Sequence, residues 1–222
     1  MTRLSSNLLC VFLSLALNGE AYSGDTLFIE ALFNKRPILC NEASSRGGSL
    51  SFSKVSVYLS NVCFYADGKQ IHSAPEPQLI HLCNGRQMLA AIPPGADAFS
   101  FALGIDSSLQ VKGALSGNLD PVHGFYWTWQ SGYIHAKIEG LTADSLGNVQ
   151  ELVWHIGGYQ WPYNSIRYAK RSLPLGNATL SLNLNAVLTE APTREKLSVM
   201  LPGAAACKIS DRIIYNFSIE PQ

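Results

Sequence analysis

Short segments with alternating apolar and polar residues recur along the chain, and this pattern restricts the possible fold more than any other feature. In residues 54–64, Val55, Val57 and Leu59 alternate with polar side chains. Successive side chains of a β-strand point to opposite faces, so this segment predicts a strand with one face in the core. We expect further strands at residues 26–33, 78–83, 98–105, 125–130, 133–139, 151–156 and 179–188, and a last one through Ile213, Tyr215, Phe217 and Ile219.

Turn-forming residues separate these segments, as in Ala66-Asp67-Gly68-Lys69. Residues 84–91 and 193–197 could each form only a turn or two of helix, and no long helix is present to connect parallel strands. We therefore predict an all-β chain, folded as an antiparallel β-sandwich of the immunoglobulin-like or Greek-key type with extended loops.

The first 23 residues have the composition of a secretory signal peptide. Arg3 precedes an apolar stretch at residues 8–17, and small residues lead to Ser23. The stretch has about half of the roughly 20 residues that a membrane-spanning helix needs, so we expect no transmembrane segment. We predict a cleaved signal at residues 1–23, one domain at residues 24–222, and a location in the periplasm, outside the cell or on its surface.

Four cysteines remain once Cys10 leaves with the signal: Cys40, Cys63, Cys83 and Cys207. An even number in an exported chain favours two disulfides, for which three connectivities are possible. We favour Cys63 with Cys83, and Cys40 with Cys207. A thiolate metal site is disfavoured because the chain has no C-x-x-C spacing.

Charge and motifs exclude several classes of function. Lys and Arg number 16, as do Asp and Glu, and no basic run is present, so we expect no nucleic-acid partner. The chain also lacks the common motifs of serine hydrolases, zinc proteases and nucleotide-binding proteins. These absences favour a binding protein over an enzyme.

Histidines are the most informative polar residues, because a neutral imidazole is the commonest metal ligand. His81 shares a strand face with Leu79 and Cys83, and His155 shares one with Val153, so we expect both to be buried. Each is either a hydrogen-bonded structural histidine or a metal ligand. Four of the five histidines lie in or beside predicted strands; the five are His72, His81, His123, His135 and His155.

Residues 124–133 are rich in aromatic side chains, and Trp127 and Trp129 lie on one face of the extended segment. They could form part of the core, a stacking surface for sugar rings, or a tryptophan positioned for oxidation near a metal. The second interpretation makes the chain a carbohydrate- or ligand-binding module with exposed aromatic residues. Its stacking surface would include Trp127, Trp129, Tyr133, Trp161 and Tyr163.

Several short runs follow one another in the middle of the chain. They are Gly104-Ile105-Asp106-Ser107, Gly117-Asn118-Leu119-Asp120-Pro121, Phe125-Tyr126-Trp127-Thr128-Trp129-Gln130-Ser131-Gly132-Tyr133, Lys137-Ile138-Glu139-Gly140 and His155-Ile156-Gly157-Gly158. In order and spacing they resemble the MbnP-like, or CorA-like, family of periplasmic copper-binding proteins associated with methanobactin. The third and fourth runs are the specific ones, and the C-terminal part carries no matching motif.

This resemblance implies an exported β-sandwich that binds copper for acquisition, storage or delivery and has no turnover of its own. It also implies a partner, a di-haem protein of the MauG-like peroxidase family, which oxidises a tryptophan to kynurenine.

Carried over by position, His81 and His155 are the expected copper ligands, and His135 and His123 are further candidates. Trp127 and Trp129 are the expected sites of oxidation. They rank ahead of Trp154, which points away from His155 if its strand is regular.

Overall fold

A computed structural model describes residues 24–40, 50–74, 76–128, 130–143, 147–188 and 197–222. The predicted signal peptide at residues 1–23 lies outside the described residues. The strands are β1 (Thr26–Phe33), β2 (Arg36–Pro37), β3 (Leu50–Ala66), β4 (Lys69–Ala74), β5 (Gln78–His81), β6 (Gln87–Ala91), β7 (Ala98–Leu103), β8 (Tyr126–Thr128), β9 (Gly132–Ala143), β10 (Val149–Gly157), β11 (Arg167–Ser172), β12 (Ala178–Asn183), β13 (Ser198–Val199) and β14 (Phe217–Pro221).

Two β-sheets pack together around one main core, which confirms the predicted β-sandwich. The smaller sheet has the order β14-β12-β1-β2, with β6 also paired to β1. The larger sheet has the order β11-β7-β3-β9-β10-β13, with β4 and β5 also paired to β3 and β8 to β9. The sheets are mixed, because β1 pairs with β12 in parallel and β10 pairs with β13 in parallel. The prediction of purely antiparallel sheets was wrong for these two pairs. Their strands are far apart in sequence, and this separation leaves room for the long connection that parallel pairing requires.

Strand β3 runs through the centre of the larger sheet, and its alternation is as predicted. Val55, Val57 and Leu59 lie in the core between the sheets. The polar face of β3 is also buried, as Tyr58 shows. Tyr58 belongs to a second apolar cluster, in which residues of the segment 105–126 cover part of the larger sheet on the side away from the smaller sheet. We call that side the outer face.

The described helices are α1 (Ser107–Gln110), α2 (Leu184–Leu188) and α3 (Ala204–Tyr215). None is long and apolar enough to cross a membrane. The predicted strand through Ile213 was wrong at its start: Ile213 lies in α3, where it shares a buried face with Ala206 and Ile209 at helical spacing.

Two further segment predictions need correction. The strand expected at residues 179–188 ends at Asn183, and residues 184–188 form helix α2 instead. The helical turn expected at residues 84–91 is strand β6 instead, because residues 87–91 pair with β1. The other helical candidate, at residues 193–197, lies outside the described residues except for Leu197.

The predicted disulfide connectivity was wrong. Cys40 is bonded to Cys83, while Cys63 and Cys207 are free thiols. A β-bridge between Leu39 and Asn84 brings the adjacent cysteines together, with their Cα atoms 4.9 Å apart. Cys63 lies on β3, opposite Ser73 of β4 and Ser100 of β7, and Cys207 lies on α3.

Candidate functional site

Four polar residues on neighbouring strands form a row across the outer face of the larger sheet. In the strand register, His81 of β5 is opposite Ser56 of β3, Ser56 is opposite Lys137 of β9, and Lys137 is opposite His155 of β10. We call these four residues the outer-face row. Neighbouring strands are about 4.8 Å apart, so the Cα atoms of His81 and His155 are separated by about 14 Å.

At this separation the two expected copper ligands, His81 and His155, are too far apart to bind the same ion. Imidazole nitrogens bind a first-row metal at about 2 Å, so two of them on one ion lie within about 4 Å of each other. Ser56 and Lys137 stand between His81 and His155 in the row. His81 and His155 therefore share a face of the sheet, but the structure does not bring them together.

His81 lies at the exposed end of the row, where burial had been expected, because β5 pairs with β3 at its edge and ends at His81. Its Nδ1 atom is 2.9 Å from the Ser56 hydroxyl, and its ring meets the Phe125 ring edge-on at 6.4 Å between centroids. Partial burial lowers the pKa of His81, and the nearby Lys54 and His123 lower it further. The imidazole is therefore mostly neutral at pH 7, as a metal ligand must be.

His123 ends a short 3-10 turn and is close enough to His81 to affect its pKa. Its Nε2 atom is 3.0 Å from the carbonyl oxygen of Gly117. A carbonyl only accepts hydrogen bonds, so Nε2 carries the proton and Nδ1 keeps a free lone pair. Metal-binding histidines are commonly oriented in this way, through a hydrogen bond from the ring nitrogen that does not bind the metal. We call His81 and His123 the imidazole pair.

His155 has a different partner, a carboxylate. Its Nε2 atom is 2.8 Å from Oε1 of Glu139, to which it donates a hydrogen bond. Burial is the largest influence on the pKa of His155 and lowers it; the hydrogen bond to Glu139 opposes this effect, and Lys137 adds to it. His155 is thus oriented as a single imidazole with Nδ1 left to accept.

His135 is fully buried, and both of its ring nitrogens are engaged. Nε2 is 2.6 Å from the Gln110 amide nitrogen, and Nδ1 is 3.1 Å from the Ser165 hydroxyl. Burial lowers the pKa of His135 to about 3, and Arg167 adds to this effect. Gly104 makes room for the ring, because a Cβ there would lie 2.7 Å from Nδ1. His135 therefore has a structural role rather than a free nitrogen for a metal.

The structure separates the candidate tryptophans. Trp127 of β8 is half-buried, and its six-membered ring lies against Gly157, where a Cβ would be 2.7 Å from Cζ3. Gly157 is two residues beyond His155, so Trp127 lies near the His155 end of the row. Trp154 is only 2 % exposed and packs in the main core, on the face opposite His155. Trp129 lies outside the described residues.

The aromatic residues proposed for sugar stacking do not form one surface. Tyr133 is buried, and its hydroxyl donates to the Leu119 carbonyl at 2.8 Å. Trp161 is 92 % exposed and, with Tyr163, lines a cleft of about 360 Å³. Side chains without charge line this cleft: Gln130, Ser131, Tyr159, Gln160, Trp161, Tyr163, Leu201 and Pro202.

Within the described ranges, no group of three or more His, Cys, Asp and Glu side chains is arranged to hold a metal ion. His81, His123 and His155 each have one ring nitrogen outside the hydrogen bond that orients the ring. Soft or borderline metals such as copper accept imidazole ligation at low coordination number, so the imidazole pair fits copper better than an oxygen-preferring metal.

Fold and site together define a β-sandwich with oriented imidazoles on one face of its larger sheet. The MbnP family model matches residues 23–201, so the chain belongs to the MbnP family, as the sequence runs predicted. The structure of MbnP from Methylosinus trichosporium is similar, with a TM-score of 0.56 and 12 % sequence identity over 83 % of this chain and 82 % of that chain. This likeness shows a shared fold. No curated protein matches the sequence.

Proposed function

We propose that this protein is an exported copper-binding protein of the periplasm, which acquires, stores or delivers copper and has no turnover of its own. Membership of the MbnP family suggests a methanobactin-associated, copper-related protein, and this supports the proposal. The more specific statements, that copper is the cargo and which residues hold it, rest on the geometry of the outer face.

The imidazole pair is the observation that carries the proposal. Each ring has one nitrogen anchored, at Ser56 for His81 and at Gly117 for His123. In the tautomers that bind a metal, His81 Nδ1–H donates to the Ser56 hydroxyl and His123 Nε2–H to the Gly117 carbonyl, so His81 Nε2 and His123 Nδ1 carry the free lone pairs. Anchoring lowers the entropy lost when the ligands are ordered around an ion. Neutral imidazoles suit both Cu(I) and Cu(II).

Kynurenine is the candidate for an additional ligand, formed by a di-haem partner of the MauG-like peroxidase family. Trp127 is half-buried at the outer face, whereas Trp154 is enclosed in the main core. Accessibility therefore favours Trp127, and Trp129 stays a candidate from the sequence. A kynurenine at position 127 would lie near His155, so oxidation there would add a donor at that end of the outer-face row.

Copper stoichiometry of the mature protein, purified from its native compartment, tests the proposal. We expect about one copper per chain in the wild type and loss of copper in His81→Ala and in His123→Ala. His72→Ala is the matched control, because His72 is an exposed histidine on a strand of the same sheet and lies outside the pair. Wild-type protein that is metal-free and ignores added copper would refute the function, and copper lost only in His155→Ala would move the site to the other end of the row.

The same samples test the oxidised tryptophan. An intact mass that shows two oxygens gained and one carbonyl lost indicates kynurenine, and peptide mapping distinguishes Trp127, Trp129 and Trp154. An unmodified mass together with stoichiometric copper would limit the ligands to histidine and leave the partner protein without a role at this site.

A second candidate function is favoured by the exposed Trp161. An exposed indole beside amide and hydroxyl groups, in a cleft without charged side chains, suits a neutral sugar. Glycan titration monitored by tryptophan fluorescence tests this hypothesis of sugar binding. The Trp161→Ala variant should lose the fluorescence change. A response in the wild type that copper does not affect would favour the sugar-binding module.

A further inference from the structure

A cavity of about 210 Å³ lies between helix α3 and the strands β10 and β13. Trp154 and Val199 line it on the strand side, and they are partners in the parallel pairing of β10 with β13. Ile209 lines it on the helix side and is buried like the other two. Trp154 is on the face of β10 opposite His155, so the cavity is separate from the outer-face row.

The helix side of the cavity follows from residue spacing along α3. Ala204, Lys208 and Arg212 recur at every fourth residue, so they lie in one row along the helix. Ala205 and Ile209 form the neighbouring row. The two alanines lie in the first turn, where their short side chains leave open the space that longer side chains would fill. An apolar cavity with two cationic side chains at its edge is the result.

The charge at this cavity is positive. Among the described residues that line it, Lys208 and Arg212 are the charged ones. The first turn of α3 has no acidic residue, and its amino-terminal end adds a partial positive charge. Asp211, the acidic residue of this helix, is paired with Arg167. The cavity therefore favours a negatively charged ligand.

The volume and the lining restrict that ligand further. An apolar cavity of about 150 Å³ is large enough to bind benzene, so about 210 Å³ holds one aromatic ring with a carboxylate group attached. A ring beside Trp154 gains aromatic contacts, and a carboxylate beside Arg212 gains charge-assisted hydrogen bonds. An inorganic anion would leave the apolar part empty, and a neutral ring would leave the two cations without a counter-charge.

We propose that this cavity binds a small organic anion, a carboxylate carried on a single aromatic ring. The ring lies against Trp154, and the carboxylate lies between Lys208 and Arg212. The site is independent of the proposed copper function, because the larger sheet separates it from the imidazoles of the outer-face row. It gives the protein a second kind of ligand.

Calorimetric titration of the mature protein with benzoate tests the proposal. We expect a dissociation constant on the order of 0.1 mM, as is reasonable for so small a ligand. Benzyl alcohol keeps the ring without the charge, and acetate keeps the charge without the ring. Each should bind about tenfold more weakly than benzoate or worse.

Two variants address the two halves of the site. Lys208 is exposed, so its replacement leaves the packing intact; Lys208→Gln should weaken benzoate binding about threefold and Lys208→Glu about tenfold. Ala205→Phe should fill the cavity and abolish binding, whereas Ala205→Ser should retain it. Lys170→Gln is the charge control and should change nothing, because Lys170 lies against the Tyr65 ring, 3.9 Å from Nζ to the centroid, and does not line this cavity.

Wild-type protein that does not bind benzoate would overturn the proposal. Benzoate binding that survives both Lys208→Glu and Ala205→Phe would place the ligand elsewhere and overturn it as well. Equal affinities for benzoate and benzyl alcohol would refute the role of the two cations, and an equal loss of affinity in Lys170→Gln and Lys208→Gln would assign the effect to overall charge.

Discussion

Lowering the pH from 7 to 5 should destabilise the fold through His135. The pKa of this buried imidazole is lowered from 6.5 to about 3, chiefly by burial. The unfolded chain binds a proton near pH 6.5 and the folded chain does not, so this contribution to stability is complete above pH 6.5 and is lost progressively as the pH falls toward 3. The linkage relation gives about 2 kcal/mol lost from the free energy of unfolding between pH 7 and pH 5.

Urea unfolding at several pH values measures this loss, and His135→Gln supplies the comparison. Glutamine keeps a donor and an acceptor near Gln110 and Ser165 but has no proton to take up. Other groups titrate equally in both proteins, so the difference between the two pH profiles isolates His135. Parallel profiles for wild type and His135→Gln between pH 7 and pH 5 would refute the argument that this ring is neutral because it is buried.

Two further predictions concern packing and the disulfide. Gly157→Ala should place a Cβ 2.7 Å from the Trp127 ring and 2.7 Å from the Tyr133 carbonyl oxygen, so it should cost about 1–3 kcal/mol of stability and shift the tryptophan fluorescence. Gly203→Ala, with no neighbour within 4 Å, should do neither, and equal effects in both variants would contradict these contacts. Replacing Cys40 and Cys83 together by Ser should lower the free energy of unfolding by about 4 kcal/mol, because the bond closes a loop with a sequence separation of 43. Urea unfolding that is unchanged by this double substitution would show that the loop is constrained in some other way.

Strands in which apolar residues alternate with polar ones were predictable from the sequence. Thr26–Phe33 is strand β1 as expected, and the alternation of residues 54–64 places Val55 and Val57 in the core. The polar face of the same strand is different, because Ser56 and Tyr58 are buried as well. The segment 105–126, about 50 residues further along the chain, buries them. The alternation within one strand contains no information about a segment so distant in sequence.

Helix α3 shows how a short window misleads. Ile213 and Tyr215, read with Phe217, alternate as a strand would, but the helical spacing of Ala206, Ile209 and Ile213 extends over more residues and decides the structure. The disulfide was mispredicted for a related reason: the pairing of Cys40 with Cys83 depends on a bridge between two loop ends, which spacing along the chain does not encode.

The candidate site was predictable only in part. The sequence singled out His81 and His155 and placed both on strands, and the structure has both on strands of one sheet. Their separation follows from strand order, which motifs do not specify. His123 was a lesser candidate, and its proximity to His81 results from the 3-10 turn that ends at His123. His135 is buried with a hydrogen bond at each ring nitrogen, from Gln110 and Ser165. No motif in the sequence marks these two residues as its partners.

The parallel pairing of β1 with β12 also governs how the chain can reach its native state. Contacts between these strands join residues 151 positions apart, as between Leu27 and Ala178. Such non-local contacts slow folding, since a long loop must close before any stabilising contact forms. One edge of β1 therefore stays open until most of the chain exists, and truncation before Ala178 should yield a molecule that aggregates through that edge rather than a smaller folded domain.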